Sequence, residues 1–351
     1  MVDLSFYKGK KVFVTGHTGF KGAWLSRLLL RAGAAVTGYA LESPTNPSLW
    51  ALLGMEKEMS HLYADVRDLA AMKAAFENAR PEIVIHMAAQ PIVREGYRDP
   101  AGTYATNVMG TVNLLECVRL SDCSRSVLNV TTDKVYKNNE WHWGYRENDA
   151  LNGFDPYSNS KSCSELVTEA YVRSFFNNRD IAVSTARAGN VIGGGDFAKD
   201  RIIPDCVRAA EKGEVISIRN PYSIRPYQHV LEALSAYLLI IQMQYADLKI
   251  AGCYNVGPDD SDCVNTGDLA EMFCNAWGDG LRWVDRGENK APHEAGFLKL
   301  DCSKIRALLG WSPRLNISEA VQRVVAWEKE RLSSGDIKKA MDEQIFEYFG
   351  V

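Results

Sequence analysis

The chain has 351 residues, a formal net charge of −4, and a composition of 46% hydrophobic and 24% charged residues, as expected of a soluble globular protein. That length accommodates one large domain or two smaller ones sharing a core. The negative balance excludes a general attraction to nucleic acid or to an anionic membrane, so any anionic ligand has to be held by local basic groups.

In chain order, Lys11–Thr15 (KVFVT) reads as a buried strand. Residues 22–32 place Trp24, Leu25, Leu28 and Leu29 at helical spacing, with Gly33 as the stop. Residues 35–39 predict a second strand, Leu69–Ala79 a helix, and 83–87 (IVIHM) another strand. A helix over 103–119, a strand at Ser126–Val130 (SVLNV), a long helix over 157–176 and a strand at 181–187 (IAVSTAR) follow. Strands alternating with helices of this length predict an α/β fold with a doubly wound, parallel, Rossmann-type sheet. Beyond residue 188 Gly and Pro become frequent (GNVIGGGDFAKDRIIPD, RNPYSIRPYQH), which predicts a smaller lobe of loops beside the sheet. Residues 229–245 and 252–256 are expected to return to the sheet. The expected organisation is a dinucleotide-binding domain of 1–187 plus about 229–258. An interleaved substrate lobe takes about 188–228 and 259–330, and 331–351 form a helical tail.

Eight cysteines occur without a CxxC pair, which predicts thiols in a reducing cytoplasm and no disulfide framework. The segment MVDLSFYKGKKVFVTG enters a strand without a signal-type apolar region, and no run approaches the ~18 apolar residues of a membrane span. No His, Cys and carboxylate spacing points to a metal. His86, inside a buried strand, is expected to be a satisfied core histidine.

Two stretches carry chemistry. The first strand runs into Gly16-His17-Thr18-Gly19-Phe20-Lys21-Gly22 and then into the first helix. Glycines here permit a tight turn and close backbone approach, and the helix N-terminus offers N–H groups to a pyrophosphate. An acid for the adenosine ribose is absent at the end of the second strand (Gly38-Tyr39-Ala40-Leu41) unless Glu42 replaces it, which leaves NAD and NADP both open. Asp65-Val66 either reads the adenine edge or caps a helix. The second stretch, Tyr157-Ser158-Asn159-Ser160-Lys161, puts Tyr and Lys at i and i+4 on one helix face. A phenol becomes a useful base at neutral pH only when positive charge, from the ammonium and a nicotinamide, stabilises its phenolate.

Together with HMAAQP (86–91), TYATNVMGT (103–111), PYSNSK (156–161) and RAGNVIGGG (187–195), these stretches resemble the extended short-chain dehydrogenase/reductase family over nearly the whole chain. The resemblance implies Tyr157 as catalytic base, Lys161 on the nicotinamide ribose, and Thr132 on the sugar 4-hydroxyl. Ala88, Gln90 and Asn107 would line the cofactor beside Gly16, Thr18, Gly19, Phe20, Gly22, Asp65 and Val66. A nucleotide-diphosphate sugar would bind in the second lobe, and the chain would assemble as a dimer or tetramer. Ala170, Val172 and 175–176 are expected to supply apolar surface for that assembly.

Thr131-Thr132-Asp133-Lys134-Val135-Tyr136 (TTDKVY) narrows this further. An acid pair after the threonine is similar to what nucleotide-sugar 4,6-dehydratases show. Most of those carry Asp-Glu. Asp133-Lys134, with GHTGFKGAWL, GYRENDALNGFDPYSNSK, GNVIGGGDFAKDR and RNPYSIRPYQHVLEAL, resembles the CDP-glucose 4,6-dehydratase subgroup. The resemblance implies that CDP-glucose is dehydrated to CDP-4-keto-6-deoxyglucose for deoxysugar and surface-polysaccharide synthesis. Hydride would move from C4 to C6 through NAD that ends each turnover oxidised. Asp133 would be the acid at C6. Lys134 would act at C5, either as a base of lowered pKa or as a cation stabilising the enolate. The diphosphate needs arginine forks, for which Arg201, Arg219 and Arg225 are candidates, in loops that also carry Asn190. His293, next to Glu294, is expected to face the sugar nucleotide. Three other readings stay open: a dehydratase of another nucleotide-sugar, a 4-epimerase that would leave Asp133 and Lys134 without a task, and a non-catalytic dinucleotide sensor.

Overall fold

Seven short strands assemble into one parallel sheet. They are β1 (Lys11–Thr15), β2 (Ala35–Ala40), β3 (Ser60–Tyr63), β4 (Ile83–His86), β5 (Ser126–Val130), β6 (Ala182–Ala188) and β7 (Cys253–Val256). The computed structural model describes residues 2–287 and 296–351. The strand order is β7-β6-β5-β4-β1-β2-β3, and every neighbouring pair is parallel. From β1 the chain winds outward to β3 and then returns to β4 on the other side of β1. Thr15 therefore pairs with both Tyr39 and His86 at the point where the winding reverses, and a crevice opens beyond the carboxyl ends of the strands.

Of these seven strands the sequence reading misses β3. Its residues, SHLY, are mostly exposed at the sheet edge, so no apolar pattern marks them. The helix expected over 103–119 is built in three pieces: Pro100–Tyr104, a widened π-type turn at Ala105–Met109, and α3 (Gly110–Leu120). The helix expected over 157–176 is α4 (Pro156–Tyr171), continued by a second π-type turn at Val172–Phe176. That turn rotates Phe176 inward, to 2% exposure, among Ile181 and Val183. The apolar assembly surface expected at 175–176 is thus corrected: Phe176 belongs to the core and Phe175 alone is exposed.

Two layers cover the sheet. On one face α1 (Phe20–Arg31) and a later helix, Val230–Ala246, bury Trp24, Leu25, Leu28, Leu234 and Tyr237. On the other, α2 (Leu69–Ala79) and α3 bury Phe76, Leu114 and Val118 against Phe13 and Val84. Each such side chain contributes about 1.5–3 kcal/mol. A third cluster lies beside the sheet. It joins α5 (Ile202–Glu211), the strand Ile216–Ile218, α7 (Thr266–Trp277) and α8 (Ile317–Leu332) through Ile203, Val207, Ile218, Phe273, Trp277 and Val324. The intervening Val230–Ala246 is α6. The final helix, α9 (Ile337–Phe349), packs Met341 and Ile345 into the first core, and Arg27 of α1 bonds Asp342 on it.

The passage from sheet to lobe is tight. A Cβ on Gly194 would fall 2.3 Å from Cγ of Trp327 on α8. The Gly194 carbonyl accepts from Trp24 Nε1 at 3.0 Å, and Glu328 Oε1 accepts from Gly195 N at 3.0 Å. Among the described residues, no helix is long and apolar enough to cross a membrane.

Candidate active site

The ends of β1, β4 and β5 and the N-terminal turns of α1 and α4 build the site. Beyond β1, Gly16 adopts φ +78°, and a Cβ on Gly22 would sit 2.0 Å from the Gly16 carbonyl oxygen. The turn is therefore closed to side chains and brings the start of α1 onto the loop. Gly19 caps α1 without a side chain, leaving the first-turn N–H groups for a ligand. Thr18 Oγ1 donates to the Leu41 carbonyl at 2.9 Å, tying the loop to the end of β2. The Phe20 ring reaches across to Gly193 of the lobe. Ala88, after β4, abuts Gly16 so closely that a Cβ there would meet its nitrogen at 2.7 Å.

Other cofactor candidates are engaged by the protein itself. Asp65 pairs with Arg67 at 2.5 Å and Val66 is buried against Gly110. Asn107 Oδ1 accepts from Gln90 N at 2.8 Å, while its amide donates to the Gln90 carbonyl and to Ser160 Oγ at 2.8 Å. Asn107 thus laces the loop after β4 to α4. His86 bonds Thr15 Oγ1 at 2.7 Å and Thr111 Oγ1 at 3.3 Å, a satisfied core histidine. These residues form an anion-accepting cradle with a crevice beyond it, which fits a dinucleotide.

α4 starts where it does because Asp155 accepts from Ser158 N at 3.0 Å and Pro156 occupies the first helical position. Tyr157 and Lys161 then lie one turn apart, both buried. Lys161 Nζ donates to the Val130 carbonyl at the end of β5, at 3.1 Å. Burial pushes the Tyr157 hydroxyl up to about 12, against the hydrogen-bonded Thr132 hydroxyl, which pulls it down. Burial pushes Lys161 down to about 7, helped by the charge of Lys21 and opposed by Glu165. In the protein alone the tyrosine therefore stays neutral near pH 7, while the lysine lies close to its midpoint.

TTDKVY leaves β5 as a short 3-10 turn, Asp133–Val135. Thr132 Oγ1 donates to Asp133 Oδ1 at 3.0 Å and accepts from Lys134 N at 3.5 Å. Asp133 is 1% exposed, and its Oδ2 has no hydrogen-bond partner. Burial raises its pKa, against the charges of Lys134 and Arg225 and the Thr132 bond. Lys134 itself is half-buried. The sequence reading gives Asp133 and Lys134 different tasks, and the fold gives them different surroundings, one enclosed and one half-buried.

The lobe contributes charges from the other side. Arg201 pairs with Asp196 at 2.9 Å and lies within electrostatic reach of Tyr157. Arg219 pairs with Asp200 at 2.8 Å, and Arg94 approaches the same carboxylate at 3.8 Å. Arg225 is buried, donates to the Ile224 carbonyl at 3.0 Å and acts on Asp133. The Asn190 carbonyl accepts from Gln228 N at 3.0 Å. His293 and Glu294 lie outside the described residues.

Lys21 escaped the sequence reading as a site residue. It projects from the first turn of α1, with its ammonium 6.0 Å from the Tyr237 ring centre. Burial pushes it down to about 8, with Arg201 adding to the shift and Asp133 and Asp196 opposing it. A charge inside an apolar first turn, between Phe20 and Gly22, was the available signal. Glu165 and Arg187, buried behind TTDKVY, gave no signal, because only the fold brings α4 and β6 together.

Known proteins resemble this chain over nearly its whole length. The family model described as GDP-mannose 4,6 dehydratase matches residues 13–324. A CDP-glucose 4,6-dehydratase of Salmonella typhimurium is 48% identical over 99% of this chain and 98% of its own length. Among solved structures, a UDP-glucose 4-epimerase with UDP-glucose from Thermotoga maritima superposes with a TM-score of 0.80 at 21% identity, covering 92% of this chain and 99% of that one. A dTDP-glucose 4,6-dehydratase from Bacillus anthracis in complex with NAD gives a TM-score of 0.77 at 18% identity, covering 93% and 99%. The two solved structures carry the fold, and the family match carries the rest: the chain belongs to the GDP-mannose 4,6 dehydratase family.

Proposed function

We propose that the protein is an NAD-dependent hydro-lyase converting CDP-glucose to CDP-4-keto-6-deoxyglucose. The observation that carries this reading is Asp133, a buried carboxyl with a raised pKa and one oxygen without a partner, beside Thr132 and Tyr157. A buried carboxyl whose pKa is raised, next to the sugar-reading threonine, is suited to give a proton to a leaving hydroxyl. The nucleotide follows the 48% identical relative.

Gly16, Gly19, Gly22 and the α1 N-terminus would hold the dinucleotide, with Lys161 at its ribose. Bound NAD would accept the C4 hydride, return it at C6, and lend Tyr157 the positive charge that stabilises phenolate. Tyr157 removes the C4 hydroxyl proton while Thr132 fixes that hydroxyl. With a ketone at C4, the C5 proton is acidic because its loss gives an enolate. Asp133 protonates the C6 hydroxyl as it departs. Lys134 either takes the C5 proton or stabilises the enolate. Arg201, Arg219 and Arg225 are the diphosphate partners. All eight cysteines are unpaired, which fits a reducing, cytoplasmic location.

The test offers CDP-, UDP-, GDP- and dTDP-glucose deuterated at C4 and follows the product mass. Loss of water with deuterium retained at C6, fastest with the CDP sugar, is expected. Inversion at C4 with water retained would replace the dehydratase reading by epimerisation, and preference for another nucleotide would overturn the CDP assignment.

A further inference from the structure

Behind the reacting groups lies a buried ion pair that the mechanism above does not use. Glu165 on α4 and Arg187 on β6 meet at 3.0 Å with side chains only 3% exposed. Both carboxylate oxygens are filled. Oε1 accepts from Thr131 Oγ1 at 2.5 Å and Arg187 Nε at 3.0 Å; Oε2 accepts from Thr185 Oγ1 at 2.7 Å and Arg187 Nη2 at 3.0 Å. The guanidinium carries the network onward. Its Nη1 donates to Tyr136 Oη at 2.8 Å and to the Glu147 carbonyl at 3.0 Å, and its plane lies 5.0 Å from the Tyr136 ring centre. Tyr136 in turn donates to Asn255 Oδ1 on β7 at 2.6 Å.

Thr131 and Tyr136 are the first and last residues of TTDKVY. The same helix that supplies Glu165 supplies Lys161 one turn earlier, Tyr157 two turns earlier, and Ser162, whose hydroxyl donates to the Val135 carbonyl at 2.7 Å. Buried charges are costly unless fully paired, and a planar Arg–carboxylate fork fixes direction as well as distance. We propose that the Glu165–Arg187 pair is a positioning device: it grips both ends of the acid/base loop, holding Asp133 and Lys134 in register with Tyr157 and Lys161. This rests on the dehydratase reading for its catalytic consequence, not for its geometry.

Thr131→Val and Tyr136→Phe each remove one tether while keeping shape, and neither strands a buried charge as Arg187→Ala would. The double variant should lose about 10²-fold in water elimination, the scale of a small misplacement of reacting groups. C4 oxidation, which needs only Thr132 of this loop, should fall less than elimination, so reduced nicotinamide accumulates and is seen by its absorbance. In the substrate-free protein, amides of 131–136 should exchange faster with deuterium while α4 and β6 keep their protection. Elimination unchanged, elimination and oxidation falling by the same factor, or loop exchange unchanged overturns the proposal. A wild-type protein that dehydrates no nucleotide-sugar sinks the dehydratase reading instead, and the exchange experiment then decides the clamp by itself.

Discussion

The two walls of the crevice hold their charges in opposite ways. On the sheet side, the Glu165 carboxylate receives four donors in a site closed to water, and Lys161 and Asp133 are fully enclosed. On the lobe side, Arg201 and Arg219 pair with Asp196 and Asp200 while their own side chains remain 35% exposed. The Arg219–Asp200 pair, exposed on both sides, contributes about 0–1 kcal/mol, so an incoming diphosphate can replace that carboxylate at little loss; Asp196, beneath Arg201, is itself only 6% exposed. Protons have to move over fixed distances, whereas an anion has only to be caught. Rigidity and exchangeability are distributed accordingly.

The sheet side should respond to substitution in kcat and the lobe side in KM. Tyr157→Phe is expected to have the largest effect, about 10³-fold or more on C4 oxidation, because no other group replaces the base. Single-turnover appearance of reduced nicotinamide measures it, and retained oxidation would move the base elsewhere. Asp133→Asn should lower water loss about 10²- to 10³-fold with C4 oxidation preserved, read as deuterium trapped in the cofactor. Lys134→Ala should do the same by about 10²-fold; unchanged turnover would make Lys134 a bystander. Arg201→Ala and Arg219→Ala should each raise KM about tenfold with kcat nearly intact. A fall in kcat alone at either position would erase the contrast between the walls.

Acid tests the sheet side in another way. Burial pushes His17 down to about 4, with His61 adding to the shift, and His86 and His229 to about 3. Their unfolded forms take up protons near 6.5, so stability is full above that pH. It falls as pH drops toward 4 and 3, where the folded protein also protonates. Each histidine contributes on the order of 1 kcal/mol per pH unit in that window. Urea midpoints at pH 7 and pH 5 measure the loss, and equal midpoints would show that these rings open to solvent.

Much of this was legible in the sequence because local pattern and burial coincide there. KVFVT, SVLNV and IAVSTAR are apolar runs and become central strands; the glycine loop and PYSNSK lie at element starts where their chemistry needs them. What escaped depends on long-range geometry. SHLY is a strand only because β2 lends it an edge. Phe176 turns inward through a π-type turn that no periodicity announces. The tyrosine, the lysine and TTDKVY were visible as motifs. Lys21 became a site residue only through its neighbours across the crevice, and Glu165 and Arg187 became partners only by folding.

The Gly194–Trp327 contact bears on how far the two parts can be exchanged between relatives. The chain enters the lobe beneath an indole contributed more than a hundred residues later, and Glu328 beside it caps the next amide. A chimera that transplants only the loops of about 196–228 keeps that lock intact. One that cuts at residue 188 and imports a whole lobe has to carry α8 with it, or leave the glycines facing a foreign side chain. Recombination of substrate preference should therefore succeed with loop grafts, or with swaps that carry α8 along, and fail where residues 188–195 are exchanged without it.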